Sequence, residues 1–307
     1  MASTAVRTAA IFTATGDQGS SVVRSLLKRG WKLTGFTRDP SSGKAQELAK
    51  QGVEVVKADM NDPESYKAHL KGKDAVFVNA DFWAIYLHNG YNADAAKAGE
   101  IEQAKNAIQA SVDAGVKHIV YSTLDGGLGA YHWDSKSEVS DWVRKNKLPV
   151  TNLYMTFYFS GISRNNLCTA DGDGTYTLGL PAPDQTVVPG VPVEQTGEWV
   201  AAALEEPEKW TGKDMFAVTD ALSVKEMADT LSRISGKTVK TKEIPDQYFL
   251  SDDFQKAIGQ ELWDNWKLFY DGNPKRDIAA SKKLIENPLD FEGWAKQNKM
   301  LKELLDF

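Results

Sequence analysis

Along the first half of the chain, short apolar runs alternate with longer stretches whose apolar residues recur at helical spacing. TAAIFTA (8–14), KLTGFT (32–37), VEVVKA (53–58), DAVFVNA (74–80), KHIVYST (117–123) and PVTNLYM (149–155) predict strands. Between them, SSVVRSLLKRG, SGKAQELAKQG, PESYKAHLKG, EIEQAKNAIQASVDAG and KSEVSDWVRKNK predict helices, several of them closed by glycine. Repeated β-α-β units of this kind imply an α/β fold: a doubly wound parallel sheet with right-handed crossovers.

After about residue 156 the regularity breaks down. NNLCTADGDGTYTLGLPAPDQTVVPGVPVEQ is rich in Gly, Pro and Asp and reads as loops with short strands. QTGEWVAAALEEP and SVKEMADTLSRISG read as helices, and KDMFAVTD as a late strand. The expected organisation is a first domain over residues 1–155, with later contributions from about 185–222, and a smaller α/β lobe over 156–307 closing a cleft. Trp263, Trp266, Phe269 and Trp294 alternate with charges and are expected to form the core of that lobe.

Composition narrows the partners. With 42% hydrophobic and 25% charged residues, the chain can bury a full core without staples. A formal net charge of -6 argues against a nucleic-acid surface, though one anionic ligand could still find a locally positive pocket. Cys168 is the only cysteine, which excludes an intramolecular disulfide and fits a reducing, cytoplasmic location, with the nucleus also open. The four histidines, His69, His88, His118 and His132, show no metal-ligand spacing. Neither a signal-peptide core nor a long apolar run occurs, so a soluble protein away from membranes is expected, as monomer or homodimer.

TATGDQGSS (13–21) falls between the first predicted strand and the first predicted helix. In an open parallel sheet, ligands bind beyond the carboxyl ends of the strands, where a glycine-rich turn brings helix N–H groups against a pyrophosphate. Gly16 and Gly19 would allow that approach. Thr13 stands at the first-glycine position, where a small residue can turn if its φ stays negative. A glycine cluster alone is often only a tight turn; the flanking strand and helix favour a dinucleotide site. The second strand ends at Thr37 and Arg38, with Lys44 close behind, instead of in the carboxylate an NAD site uses. An arginine there can fork onto a 2′-phosphate, although Asp39 follows and a solvated surface arginine is the plainer alternative. The expected cofactor is therefore NADP(H).

ATGDQG, FTRDP, VEVVKADMNDPES, VYSTL, HWDSKSEVSDWVRKNKLPVT, DGTYTLGLP and EEPEKWTGKD together resemble the NmrA-like family of atypical short-chain dehydrogenases, above all its NADP(H)-sensing members. The resemblance implies a Rossmann domain with a smaller C-terminal lobe. It also implies cofactor contacts at Thr13 and from Thr15 through Gly16, Asp17, Gln18 and Gly19, at Arg38 and Lys44, and at Asp59 and Met60 beside the adenine. Ala80, Asp81 and Phe82 follow the fourth strand, Lys136 reaches the nicotinamide ribose, and Tyr158 and Phe159 match part of a family segment. One departure reverses a charge: a cofactor-contacting lysine of the sensors falls on Glu102.

Active short-chain dehydrogenases carry Tyr-x-x-x-Lys on one helix face, the lysine binding ribose and the tyrosine passing the proton. Here His132 holds the tyrosine register ahead of Lys136, Tyr131 lies one residue early, and Ser122 or Thr123 occupies the position of the assisting serine. Three readings follow. The chain senses NADP(H) without turnover, its state read by a protein partner. It is a reductase of a small carbonyl, enone or aromatic substrate that uses His132, with Tyr131, or His88 and Tyr91 in the loop after the fourth strand, as substitute donors. Or it is a scaffold with a vestigial nucleotide fold, against which Gly16, Gly19, Arg38 and Lys136 speak. The sensor ranks first and the reductase second.

Overall fold

The computed structural model describes residues 6–307 and divides into two compact units. In chain order the first unit runs β1 (Thr8–Ile11), α1 (Asp17–Lys28), β2 (Lys32–Thr37), α2 (Gly43–Lys50), β3 (Glu54–Lys57), a 3-10 turn (Pro63–Ser65) and α3 (Lys67–Leu70). It continues through β4 (Ala75–Val78), α4 (Phe82–His88), α5 (Ala93–Asp113), β5 (His118–Thr123), α6 (Tyr131–Lys145) and β6 (Val150–Tyr154). The chain then enters the second unit with β7 (Phe157–Tyr158), α7 (Ser160–Arg164), β8 (Cys168–Ala170), β9 (Thr175–Leu178) and β10 (Val187–Val191). It returns to the first for α8 (Thr196–Glu205), α9 (Pro207–Trp210) and β11 (Asp214–Phe216). The rest of the second unit is β12 (Asp220–Ser223), α10 (Val224–Ser235), β13 (Thr238–Thr241), α11 (Asp246–Phe249), α12 (Asp252–Ile258), α13 (Gln260–Tyr270), α14 (Ile278–Lys282), α15 (Phe291–Ala295) and α16 (Lys299–Leu305).

The first unit is built on a seven-stranded sheet in the order β11-β6-β5-β4-β1-β2-β3, every pair parallel. This is the α/β Rossmann-type architecture the alternating pattern implies. The central strands β1, β4 and β5 are buried almost throughout, as strands covered on both faces must be. On one face, Ala104, Ala107 and Ile108 of α5 and Val139 and Val143 of α6 pack on Val76, Val78, Ile119 and Tyr121. On the other, α1 lies along α8: the Ser21 hydroxyl donates to the Glu194 carbonyl at 2.6 Å and accepts from Gly197 N–H at 2.9 Å. A Cβ on Gly197 would sit 2.3 Å from the Ser21 carbonyl oxygen, so only glycine permits that approach. Arg29 closes the helix pair with Glu198 at 2.8 Å and Glu205 at 3.0 Å.

In the second unit, β10 pairs with β7 in parallel and with β12 antiparallel, while β9 joins β13 in parallel and β8 antiparallel. Helix α10 starts on a Ser223–Glu226 capping box and stops at Gly236 with φ 67. The tail aromatics are core: Trp266, Phe269 and Trp294 are buried, and Trp263 donates its indole N–H to the Phe249 carbonyl at 2.8 Å. Strands β10 and β12 belong to this unit, whereas α8 and β11 complete the first.

Two helices begin earlier than their apolar spacing suggests: α5 at Ala93, where Asn92 caps Ala95 N–H, and α6 at Tyr131, whose Asp134 accepts Gly127 N–H of the preceding loop at 2.8 Å. The expected loop after the fourth strand is in fact α4, started by the Asp81 carboxylate on Ala84 N–H.

At the start of β5, His118 is buried and its Nε2 lies 2.8 Å from the Thr151 hydroxyl, which donates onward to the Trp210 carbonyl. That fixes the Nε2–H tautomer and leaves Nδ1 buried without a partner among the described residues. Desolvation pushes the imidazole down to about 4 from 6.5. The unfolded chain therefore takes up this proton at a higher pH than the folded chain. Stability present above pH 6.5 should fall as the pH approaches 4, by roughly 3 kcal/mol at the low end. Urea unfolding across this range should show the slope, and His118→Gln should flatten it.

Candidate functional site

The strand order reverses between β1 and β4: the chain runs outward through β2 and β3, then returns to the far side of β1. The crevice beyond the carboxyl ends of these two strands is where open α/β sheets bind ligands. The turn after β1 is tied to both neighbours, Phe12 N–H to the Phe77 carbonyl and Ala14 N–H to the Phe36 carbonyl, each at 3.0 Å. The Thr13 hydroxyl reaches the Asn79 carbonyl at 3.4 Å, past the end of β4.

Thr13 does not keep the negative φ expected of it. Its φ is 49, and Gly16 N–H bonds back to its carbonyl at 2.9 Å. A β-branched residue in this region is strained, and the neighbouring strands hold it there. Gly16 is the N-cap of α1 and offers no side-chain acceptor, so the amide groups of the first turn are left to a ligand or solvent. Thr15 contacts Thr37 through their hydroxyls at 3.3 Å. Asp17 opens the helix, and the buried Gln18 keeps an Oε1 without a donor among the described residues. Gly19 has a different role from the one its spacing suggests. A Cβ there would lie 2.2 Å from the Thr13 carbonyl oxygen, so the residue first serves to seat α1 on the turn.

At the end of β2, Arg38 is exposed, and Asp39 turns away to accept from Ser41 N–H at 2.9 Å and its hydroxyl at 2.5 Å. Those bonds to Ser41 hold the Asp39 carboxyl below its usual range. Lys44 lies exposed in the first turn of α2. Asp59 accepts from Asn61 N–H at 2.9 Å and Asn61 Nδ2 at 3.0 Å, while Met60 packs half-buried on the core.

The Lys136 ammonium lies at the carboxyl end of β4. It is 2.9 Å from Glu100 Oε1, 3.0 Å from the Ala80 carbonyl and 3.3 Å from Asn79 Oδ1. Glu100, on α5, is fully buried; it also accepts Phe82 N–H at 3.1 Å and the Ser135 hydroxyl. Spacing did not single this residue out, yet a signal was there: a carboxylate on the same helix face as the buried Ala96 and Ala104. Glu102, where the family resemblance places a charge reversal, faces outward. Asp81 is exposed and spends its carboxylate on the α4 cap, and the Phe82 side chain is buried.

His132 is buried one turn before Lys136, its ring 4.9 Å from that of Trp83 and 5.8 Å from that of Phe82. Trp83 and Phe82 lead on to Tyr86 and then Tyr91, while Trp83, Leu87 and Tyr91 are exposed. His88 ends α4 on the outside. Tyr131 is half-buried at the start of α6. Ser122 is buried at the end of β5, and the Thr123 hydroxyl is engaged by Ser140 at 2.8 Å.

Tyr158 and Phe159 belong to the second unit. Phe159 is fully buried, its ring packed against Phe291 and Trp294. Tyr158 is half-buried, and desolvation raises its hydroxyl well above the ordinary range. Among the described residues no group of His, Cys, Asp and Glu is arranged to hold a metal ion, and no helix is long and apolar enough to cross a membrane.

Similarities to known proteins agree with this architecture. The NmrA-like oxidoreductase malD of Malbranchea aurantiaca is 30% identical over 261 residues, covering 77% of this chain and 75% of that protein. The crystal structure of NmrA, a negative transcriptional regulator, in complex with NADP superposes with a TM-score of 0.76 at 20% identity over 97% of both chains. The NADPH-dependent quinone oxidoreductase of Escherichia coli, solved with NADPH, gives 0.74 at 21% identity over 94% of this chain and 99% of that one. At these identities the two structures speak for the fold. The family model described as NmrA-like matches residues 6–295, and the chain belongs to the NmrA-like family.

Proposed function

We propose that this chain binds NADP(H) at the β1–β4 switch point, in preference to NAD(H), and acts as a redox sensor with little or no dehydrogenase turnover. The observation that carries the reading is the placement of Lys136 beside an α1 N-terminus that has no side-chain cap, the two joined through Thr13 and Asn79. The residues fit the cofactor: first-turn amides of α1 for a pyrophosphate, the unpartnered Gln18 oxygen for a hydroxyl donor, and exposed Arg38 for a 2′-phosphate. The Asp39 carboxylate accepts from Ser41 and keeps its negative charge beside Arg38, so the preference rests on the arginine outweighing it. When bound, the cofactor would supply or accept hydride; the chain itself binds it, orients it and shields it from water. Against turnover stands His132 in the tyrosine register, packed among Trp83, Phe82 and Trp133.

The exposed aromatic surface beside His132 favours a second reading, a reductase of flat conjugated substrates. Trp83 and Tyr91 offer ring faces on which such a molecule could stack. The oxidoreductase names of the relatives are consistent with it.

Arg38→Ala should remove most of the preference for NADP(H) over NAD(H), a change of about 1.5–3 kcal/mol for a charged hydrogen bond. Titration calorimetry checks this, and equal affinities for the two cofactors in the wild type would sink the claim. Gly19→Ala should cost about 1–3 kcal/mol, as overpacking does, and weaken NADPH binding with it. Gly43→Ala, with open space around its Cβ, should be neutral or mildly stabilising in the same urea unfolding series. For catalysis, the wild type should oxidise NADPH with 1,4-naphthoquinone no faster than buffer, whereas a competent proton donor is worth about 10²–10⁴-fold. Brisk consumption that His132→Ala abolishes would replace the sensor with the reductase.

A further inference from the structure

We propose that Glu100 sets how strongly this site distinguishes the oxidised from the reduced cofactor, an assignment that rests on the NADP(H) reading above. Every donor around the Glu100 carboxylate is accounted for by the Lys136 ammonium, Phe82 N–H and the Ser135 hydroxyl. The Lys136 ammonium in turn spends its three protons on Glu100, the Ala80 carbonyl and Asn79 Oδ1. The contact with Asn79, at 3.3 Å, is the longest and therefore the easiest to exchange for a ligand hydroxyl. A buried cation and a buried anion locked together leave this end of the crevice with no net charge.

That neutrality matters because the two cofactor forms differ by one charge, and only at the ring. Oxidised nicotinamide is a pyridinium cation; reduced nicotinamide is neutral. The phosphates are common to both and cancel in a ratio of affinities. An uncompensated lysine would repel the oxidised ring, and an uncompensated glutamate would attract it. Paired, they do neither. Glu100 thus permits a lysine to sit at the switch point without driving the oxidised form away. The structural role of the pair, joining α4, α5 and α6, affects both forms alike and leaves the ratio untouched.

The test is calorimetric titration of the full chain with NADP+ and with NADPH. In Glu100→Gln the ratio of the two dissociation constants should shift toward NADPH by at least about tenfold, the size expected for one unit charge within about 12 Å at an effective dielectric of about 20. Lys136→Met should move the ratio the other way, and Glu100→Asp, which keeps the charge, should leave it at the wild-type value. If Glu100→Gln does not fold, the opposite shift in Lys136→Met carries the test. A folded Glu100→Gln that binds both forms more weakly with an unchanged ratio overturns the assignment, as does an unchanged ratio in Lys136→Met. A wild type that binds neither form would instead remove the cofactor reading itself, so the two failures are told apart.

Discussion

A buried ion pair governs the geometry around the switch point. Glu100 and Lys136 come from α5 and α6, and the same carboxylate anchors the first amide of α4. Desolvating two charges is costly, and the cost is offset only when both are fully hydrogen-bonded, as they are here. Three helix positions are thus mutually dependent. The aromatic face of α4 and the imidazole of His132 are held where they are because α4 starts on Glu100 and α6 carries both His132 and Lys136.

The other side of the crevice is settled by close packing. The turn after β1 is pinned to β2 and β4 by backbone bonds, forcing Thr13 into a left-handed conformation, and Gly19 lets α1 rest directly on its carbonyl. The helix N-terminus is therefore aimed by the sheet. Its first-turn amides and Lys136, carried on α6 but lying at the carboxyl end of β4, approach the crevice from the two halves of the sheet, which is the arrangement expected of a site for a long, anionic, two-part ligand.

Much of this was legible in the chain. The strands were evident as apolar runs because central parallel strands have no polar face, and β2 matches its predicted span of 32–37 residue for residue. Helix starts were harder. The segment ADAAKAG at the front of α5 and the YHWDS start of α6 lack an apolar stripe, and the start of α5 is set by its Asn92 cap. The α4 segment FWAIYLH is short and apolar nearly all round, so periodicity says nothing about it. For the site, the glycine turn, Arg38 and Lys136 could be found by position, since each is local to a strand end or a helix register. Glu100 could not be paired with Lys136 from spacing, because the contact crosses two helices. Phe159 is a contact by family position alone, and its packing against Phe291 and Trp294, far along the chain, could not be read from spacing.

The Ser21–Gly197 contact has a bearing on the order of events during synthesis. The N-terminal sheet gains its outermost strand, and α1 gains its helical partner, only from residues 194–216. A nascent chain that has emerged as far as β6 holds the whole glycine turn after β1 but leaves β6 as a raw edge and the small-residue face of α1 uncovered. It must keep both from wrong partners while some sixty further residues are translated. The vulnerable interval of this protein's biogenesis therefore falls between the end of β6 and the end of β11, and a ribosome-stalled or truncated product ending there would be a sheet lacking only its β11 edge, exposed and pairing-prone.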